Sequence, residues 1–155
     1  MYFANKIKDL IGNNKAAIFV DMDGVIADFE FLAPLEFRNK RPLTTNINTL
    51  KEVSLLENVE LYILSVCRKD FEIEDKNYWL DNHAPFFKKE NRIIISKESF
   101  PNLSSSKLKG NFLRTSIEKI NDRKIIVIDD DNLVLRYLSQ NFEDVILFQD
   151  SSLID

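Results

Sequence analysis

The chain is poor in cysteine, in glycine and in unbroken apolar sequence, and each shortage removes a class of protein. A single cysteine, Cys67, among 155 residues has no partner for an intrachain disulfide, so a stapled secreted scaffold is excluded and a reducing cytoplasm is the expected location. Three glycines, Gly12, Gly24 and Gly110, are too few and too scattered for the GxGxxG dinucleotide fingerprint or for a Walker A loop. No apolar run approaches the roughly 20 residues that a membrane span requires. The opening stretch, Met1 to Ile11, is broken by charges and lacks the core of a signal peptide. Basic residues are scattered and the net charge is −4. That argues against a duplex nucleic-acid partner, which is gripped through many phosphate contacts from Lys and Arg.

What is present is an ordinary globular balance, 45% apolar and 30% charged, sufficient for one domain spanning residues 1–155 with a sizeable core. Short apolar runs at Ala16–Val20, Leu61–Leu64, Arg92–Ile95, Lys124–Ile128 and Val145–Phe148 predict strands. Between them, helical spacing predicts helices over residues 2–11, Ala27 to about Phe37, from a cap at Thr45 or Asn48 through Leu55, Lys76–His83, Lys107–Ile120 and Leu133–Ser139. Strands alternating with helices imply an α/β fold: a three-layer, Rossmann-like parallel sheet of about five strands, covered on both faces. The segment from Asp28 to Val59 is longer than one crossover helix needs, so a small cap is expected within about 29–45.

The chemistry concentrates where two apolar runs end in acids. Ala16–Val20 runs into Asp21-Met-Asp23 and then Gly24, and Ile125–Ile128 runs into Asp129-Asp130-Asp131. Open α/β sheets bind ligands at the carboxyl ends of their strands. Capping of the following helices explains one acid at each strand end but not doubled acids at both. Four carboxylates, Asp21, Asp23, Asp129 and Asp130, would repel one another unless a cation joined them. An all-oxygen site suits Mg2+, which accepts one or two carboxylates and leaves room for a substrate phosphate. One aspartate is then available to attack phosphorus, and the other to protonate the leaving group and later activate water.

These residues carry a family resemblance. Asp21-Met-Asp-Gly-Val-Ile-Ala-Asp28 resembles the first motif (DxDGxxxD) of the haloacid dehalogenase-like phosphohydrolases, Ile63-Leu-Ser65 the second, and Val127-Ile-Asp-Asp130 the fourth. Within that superfamily, Asp21 to Glu30 and Asp75-Lys-Asn-Tyr-Trp-Leu-Asp-Asn-His-Ala-Pro85 are similar to the 5'(3')-deoxyribonucleotidases. The resemblance implies Asp21 as nucleophile and magnesium ligand, and Asp23 as general acid/base that also binds the metal through its backbone carbonyl. It implies Ser65 on the phosphoryl oxygens, Asp130 as the second carboxylate ligand, and Asp129 positioning a metal-bound water or the motif lysine. Phe29 stands where the family stacks an aromatic on a base, and simple core packing is its alternative. Lys76 fits the third motif in the nucleotidase pattern. Lys109-Gly110 fits it in other phosphatases of the superfamily, and lysine chemistry alone does not choose.

The activity implied is a magnesium-dependent phosphomonoesterase acting on nucleoside monophosphates, as monomer or homodimer, with no duplex and no membrane partner. A sugar phosphate or a nucleic-acid end is the alternative substrate. A non-catalytic binding domain on the same fold is the remaining reading, and it has no need of Asp23. His83 is expected to meet the dipole at a helix end, Cys67 to be structural and Trp79 a core anchor. Lys88-Lys-Glu-Asn-Arg92 reads as a solvated turn.

Overall fold

The strands form where Ile, Val and Phe leave no polar face to expose. A computed structural model describes residues 2–29, 36–120 and 122–154. Its five strands are β1 (Ala16–Val20), β2 (Val59–Cys67), β3 (Arg92–Ser96), β4 (Lys124–Asp129) and β5 (Val145–Gln149). They pair in the order β3-β2-β1-β4-β5, all parallel. The helices are α1 (Tyr2–Ile11), α2 (Thr44–Ser54), α3 (Phe71–His83), α4 (Ser105–Lys119) and α5 (Asn132–Asn141). The expected α/β three-layer architecture with about five parallel strands is therefore present.

Strand side chains alternate between the two faces, and each face has its own core. Ile18 and Val20 pack with Phe3 and Ile7 of α1, Leu50 and Val53 of α2, and Trp79 and Leu80 of α3. Ala17 and Phe19 pack with Leu108 and Leu113 of α4 and Val134 and Leu138 of α5. All five residues of β1 are buried, as a central strand covered on both faces demands. The chain builds outward from β1 through β2 to β3, then crosses to β4 and β5. The order thus reverses between β1 and β4, and their carboxyl ends flank the crevice where such sheets take ligands.

Several expected boundaries move, each for a physical reason. Among the described residues no helix begins at Ala27: this residue instead bridges to Asp23 and Pro42, and the amide of Leu43 donates to Ile26 O at 2.7 Å. Tertiary partners have taken the backbone groups that a helix would have paired. Phe37 opens a single 3₁₀ turn, Phe37–Asn39, and the expected helical positions Leu32 and Leu35 lie outside the described residues. Helix α3 starts at Phe71 rather than near Asp75, because the buried carboxylate of Glu72 accepts the amides of Arg68 and Lys69 at 2.9 Å each. Asp75 is a mid-helix residue whose carboxylate meets Arg38 at 2.6 Å. Helix α2 begins at Thr44, with no side-chain cap from Leu43 before it, so neither Thr45 nor Asn48 caps it. Within the stretch expected as a solvated turn, Asn91 is buried, and Arg92 is covered and paired with Asp81 at 2.8 Å. No helix among the described residues is long and apolar enough to cross a membrane.

Candidate active site

Strand β1 delivers Asp21 directly above its last residue, and the amide of Asp21 still donates to Ile128 O across the sheet at 3.0 Å. The chain then turns sharply around one carbonyl. Met22 O accepts the amides of Val25, Ile26 and Ala27, while Gly24 N donates to Ala27 O at 2.8 Å. Gly24 adopts φ +79°, and a Cβ placed there would lie 2.0 Å from Asp130 Oδ2. Glycine is required twice over, for the left-handed backbone and for the close approach of the β4 acid. Asp28, the last acid of the motif, pairs with Arg41 at 2.7 Å and fastens the outgoing chain instead of facing the acids.

Asp21, Asp129 and Asp130 each bring a carboxylate oxygen to within 4.8 Å of the others. Burial, followed by Asp21 and Asp129, pushes Asp130 up to about 7. Burial and Asp21 also raise Asp129, against the opposing pull of Lys109. Such crowding of like charges is what a divalent cation relieves, and an all-oxygen donor set suits a hard one. Asp129 is otherwise engaged: its Oδ1 accepts the amide of Asp131 at 2.9 Å and its Oδ2 meets Lys109 Nζ at 2.6 Å. Asp21 and Asp130 are the carboxylates left to hold a metal. Asp131 caps α5, accepting Leu133 N at 2.9 Å.

Both lysines enter the site, in different roles. Lys109 projects from α4 and lies 3.0 Å from Asp21 Oδ1 as well as 2.6 Å from Asp129. Burial works against its charge, but the two aspartates outweigh that and hold it above the ordinary lysine range. Lys76, from α3, donates to Ser65 Oγ at 2.7 Å, to Val66 O at 3.1 Å and to Asp23 Oδ2 at 3.2 Å. An ammonium has three donors, so those of Lys76 are all used. Lys109 retains one. Ser65 is itself fully buried within β2.

Asp23 sits between two cations. Lys40 Nζ reaches its Oδ1 at 2.5 Å, opposite Lys76 on Oδ2. Burial alone would raise the Asp23 carboxyl, but Lys76 and Lys40 overcome it and hold the group below the usual carboxylate range. Lys40 was not expected from the sequence. It lies in the charged run Arg38-Asn-Lys-Arg41, within the segment expected as a small cap, and no local spacing marks it out.

The acids open onto a cleft of about 340 Å³ lined by Asp21, Asp23, Phe29, Lys109, Asp130 and Asp131 among others. Phe29 is 54% exposed, so it belongs to the cleft wall and not to the core. A larger groove of about 910 Å³ lies at the opposite ends of β4 and β5. Trp79 is wholly buried and its indole lies tilted at 47°, 4.7 Å between centroids, against the ring of His83, the last residue of α3. Cys67 is buried, donates to Lys69 O at 3.3 Å, and has its thiol pushed up chiefly by burial.

No protein-family model and no curated protein sequence matches this chain. Solved structures do. A chain of the Pnkp1/Rnl/Hen1 complex superposes with a TM-score of 0.68 over 89% of this chain, at 14% identity. This chain spans 46% of that one, about half its length. The class C acid phosphatase from Bacillus anthracis with tungstate bound superposes with a TM-score of 0.57, covering 97% of this chain and 75% of that one at 15% identity. At such identities the likeness establishes a shared fold.

Proposed function

We propose that this chain is a divalent-metal-dependent phosphomonoesterase in which Asp21 forms an aspartyl-phosphate, with Mg2+ as the metal and a nucleoside monophosphate as substrate. The observation that carries the reading is the placement of Asp21 on the cleft floor, beside Asp130 and against a lysine that keeps one donor for the cleft. The shared fold with an acid phosphatase supports phosphoryl chemistry. Asp21, Asp130 and the carbonyl of Asp23 would hold the metal, which when bound offsets charge on the phosphoryl oxygens.

In the first step an Asp21 oxygen attacks phosphorus, the bond to the ester oxygen breaks, and that oxygen takes a proton from Asp23. In the second, water attacks phosphorus and gives a proton to the Asp23 carboxylate. The bond to Asp21 breaks, and phosphate leaves with the carboxylate restored. The ion pairs with Lys40 and Lys76 favour the carboxylate form that this second step uses. Lys109 takes the role of the third-motif lysine, since Lys76 has no donor to spare. Lys76 keeps Ser65 and Asp23 in place, which makes Ser65 a support beneath the cleft. Asp129 positions Lys109. Phe29 supplies an aromatic wall for a base, and the segment within 29–45 serves as a small cap on one domain.

A nucleic-acid end is the second reading, and the likeness to the Pnkp1/Rnl/Hen1 chain fits it. The test is phosphate release, with magnesium, from deoxynucleoside monophosphates, sugar phosphates, end-phosphorylated oligonucleotides and an aryl phosphate. Nucleotides are expected to be preferred. Preference for oligonucleotide ends would move the substrate assignment, and no release from any of them would reject the phosphatase.

A further inference from the structure

We propose that Lys40 is a positioning residue for Asp23, aiming its carboxylate at the water that hydrolyses the phosphoenzyme. The inference rests on the phosphatase reading and adds to it a residue that none of the resembling motifs contains.

Lys40 lies on the segment that returns from the excursion after β1, and it is 6% exposed. A buried ammonium is costly unless paired, and its charged partner is Asp23 Oδ1 at 2.5 Å. Its surroundings fix it from three directions. Trp79 Nε1 donates to Lys40 O at 2.9 Å, Lys40 N donates to Phe37 O at 3.1 Å, and the ammonium sits 4.9 Å from the centroid of the Phe37 ring. Trp79 and Phe37 are packed edge to face at 5.8 Å, both buried. Lys40 therefore has a fixed backbone seat, and its ammonium presents its charge to Asp23 Oδ1 with the ring centroids of Phe37 and Phe29 4.9 and 5.6 Å away.

Lys76 holds the other oxygen at 3.2 Å from a different element, α3. A carboxylate gripped on both oxygens from two directions cannot rotate, whereas one gripped on a single oxygen can. Rotation matters because proton transfer requires hydrogen-bond reach, and misplacement by about 1 Å can cost about 100-fold. Lys40 does not line the cleft, so it acts through Asp23 and not on the substrate.

The test uses p-nitrophenyl phosphate, whose leaving group departs without a proton, so the first step hardly needs Asp23 while the second does. Lys40→Met keeps the stem and removes the charge. It is expected to release a fast burst of nitrophenolate and then turn over about 10- to 100-fold more slowly than wild type, with KM falling in step so that kcat/KM stays within about threefold. Lys40→Arg is expected to restore at least part of kcat. Should Lys40→Met fail to fold, Trp79→Phe, which removes the indole donor to Lys40 O along with part of the buried ring, carries the test with an expected fall in kcat of a few fold at unchanged kcat/KM.

A wild-type kcat in Lys40→Met, or a rise in KM with kcat kept, would overturn the proposal. So would an unchanged kcat in Trp79→Phe where it carries the test. A wild type that neither releases phosphate nor forms a phosphoenzyme analogue with beryllium fluoride would overturn the phosphatase reading, and this inference with it. An active wild type with an unimpaired Lys40→Met overturns this inference alone.

Discussion

Lys109 Nζ lies 3.0 Å from Asp21 Oδ1. This cation faces a carboxylate at the tip of a strand, beside two further acids. Asp21→Asn keeps the shape, removes the nucleophile and relieves repulsion among the acids. Turnover should vanish while the circular dichroism spectrum and the melting temperature are kept or improved. Phosphate release from the purified variant at a rate near wild type would rule out the assignment.

The two buried lysines should separate by phenotype. Lys109→Met is expected to lower kcat/KM by about 10²- to 10³-fold, the usual cost of removing one preorganised group that stabilises developing charge. Lys76→Met removes three hydrogen bonds at once. It should cost on the order of 3 kcal/mol of stability by leaving the partly buried Asp23 with one partner fewer. Urea melts alongside steady-state kinetics distinguish the two, and the reverse pattern would exchange their roles.

Gly24→Ala places a methyl 2.0 Å from Asp130 Oδ2 on a backbone at φ +79°. The strain and the overlap together should cost about 1–3 kcal/mol. Displacing Asp130 should also raise the magnesium concentration needed for half-maximal activity. A variant with unchanged metal dependence would show that Asp130 does not hold the ion.

Chelation should abolish activity, and added Mg2+ should restore it. Ligand binding to the folded state alone raises stability by about 2.7 kcal/mol at 100 times Kd, so the ion should also raise the melting temperature. In Asp130→Asn that increment should shrink, while the metal-free protein becomes more stable through loss of one repelling charge. An equal shift in both proteins would place the ion elsewhere.

Glu60 carries a pH-dependent share of stability far from the cleft. Its hydrogen bond from Asn91, then its pairing with Arg123, hold it below the usual glutamate range. A carboxyl depressed in the folded state contributes fully above its unfolded pKa, and the contribution fades as pH falls through the folded value. The stability gap between wild type and Glu60→Gln should therefore be constant near neutrality and close below about pH 4. A gap unchanged between pH 7 and pH 3 in urea melts would reject the pairing as a source of stability.

The parts of this site legible in the sequence are those signalled by short-range pattern. Apolar runs ending in Asp21 and in Asp129 mark strand ends, and parallel pairing then makes neighbours of them. Ser65 and both lysines were legible as candidates, but not their division of labour. That division depends on how many donors each ammonium has spent, which only the three-dimensional partners reveal. Lys40 was invisible because its seat is made by Trp79 and Phe37, both remote from Asp23 in the chain. The helix start expected at Ala27 is displaced for a related reason. The spacing of Phe29 and Phe37 satisfies a helical period, yet the amides nearby are paired with Met22 O and Ile26 O, so tertiary hydrogen bonds overrode periodicity.

The register of the sheet pairs Val20 with Ile63 on one side and Ile128 on the other. Asp130 is made after Asp21, so a nascent chain carries Asp21 without its acidic partner until β4 has been translated. Neither acid meets the other until β4 docks beside β1, a long-range parallel pairing of the kind that forms slowly. The repulsion between these acids, and with it the proposed ion site, therefore requires β4 to be docked beside β1. A ribosome-bound chain that stops before β4 should have no magnesium-sensitive step.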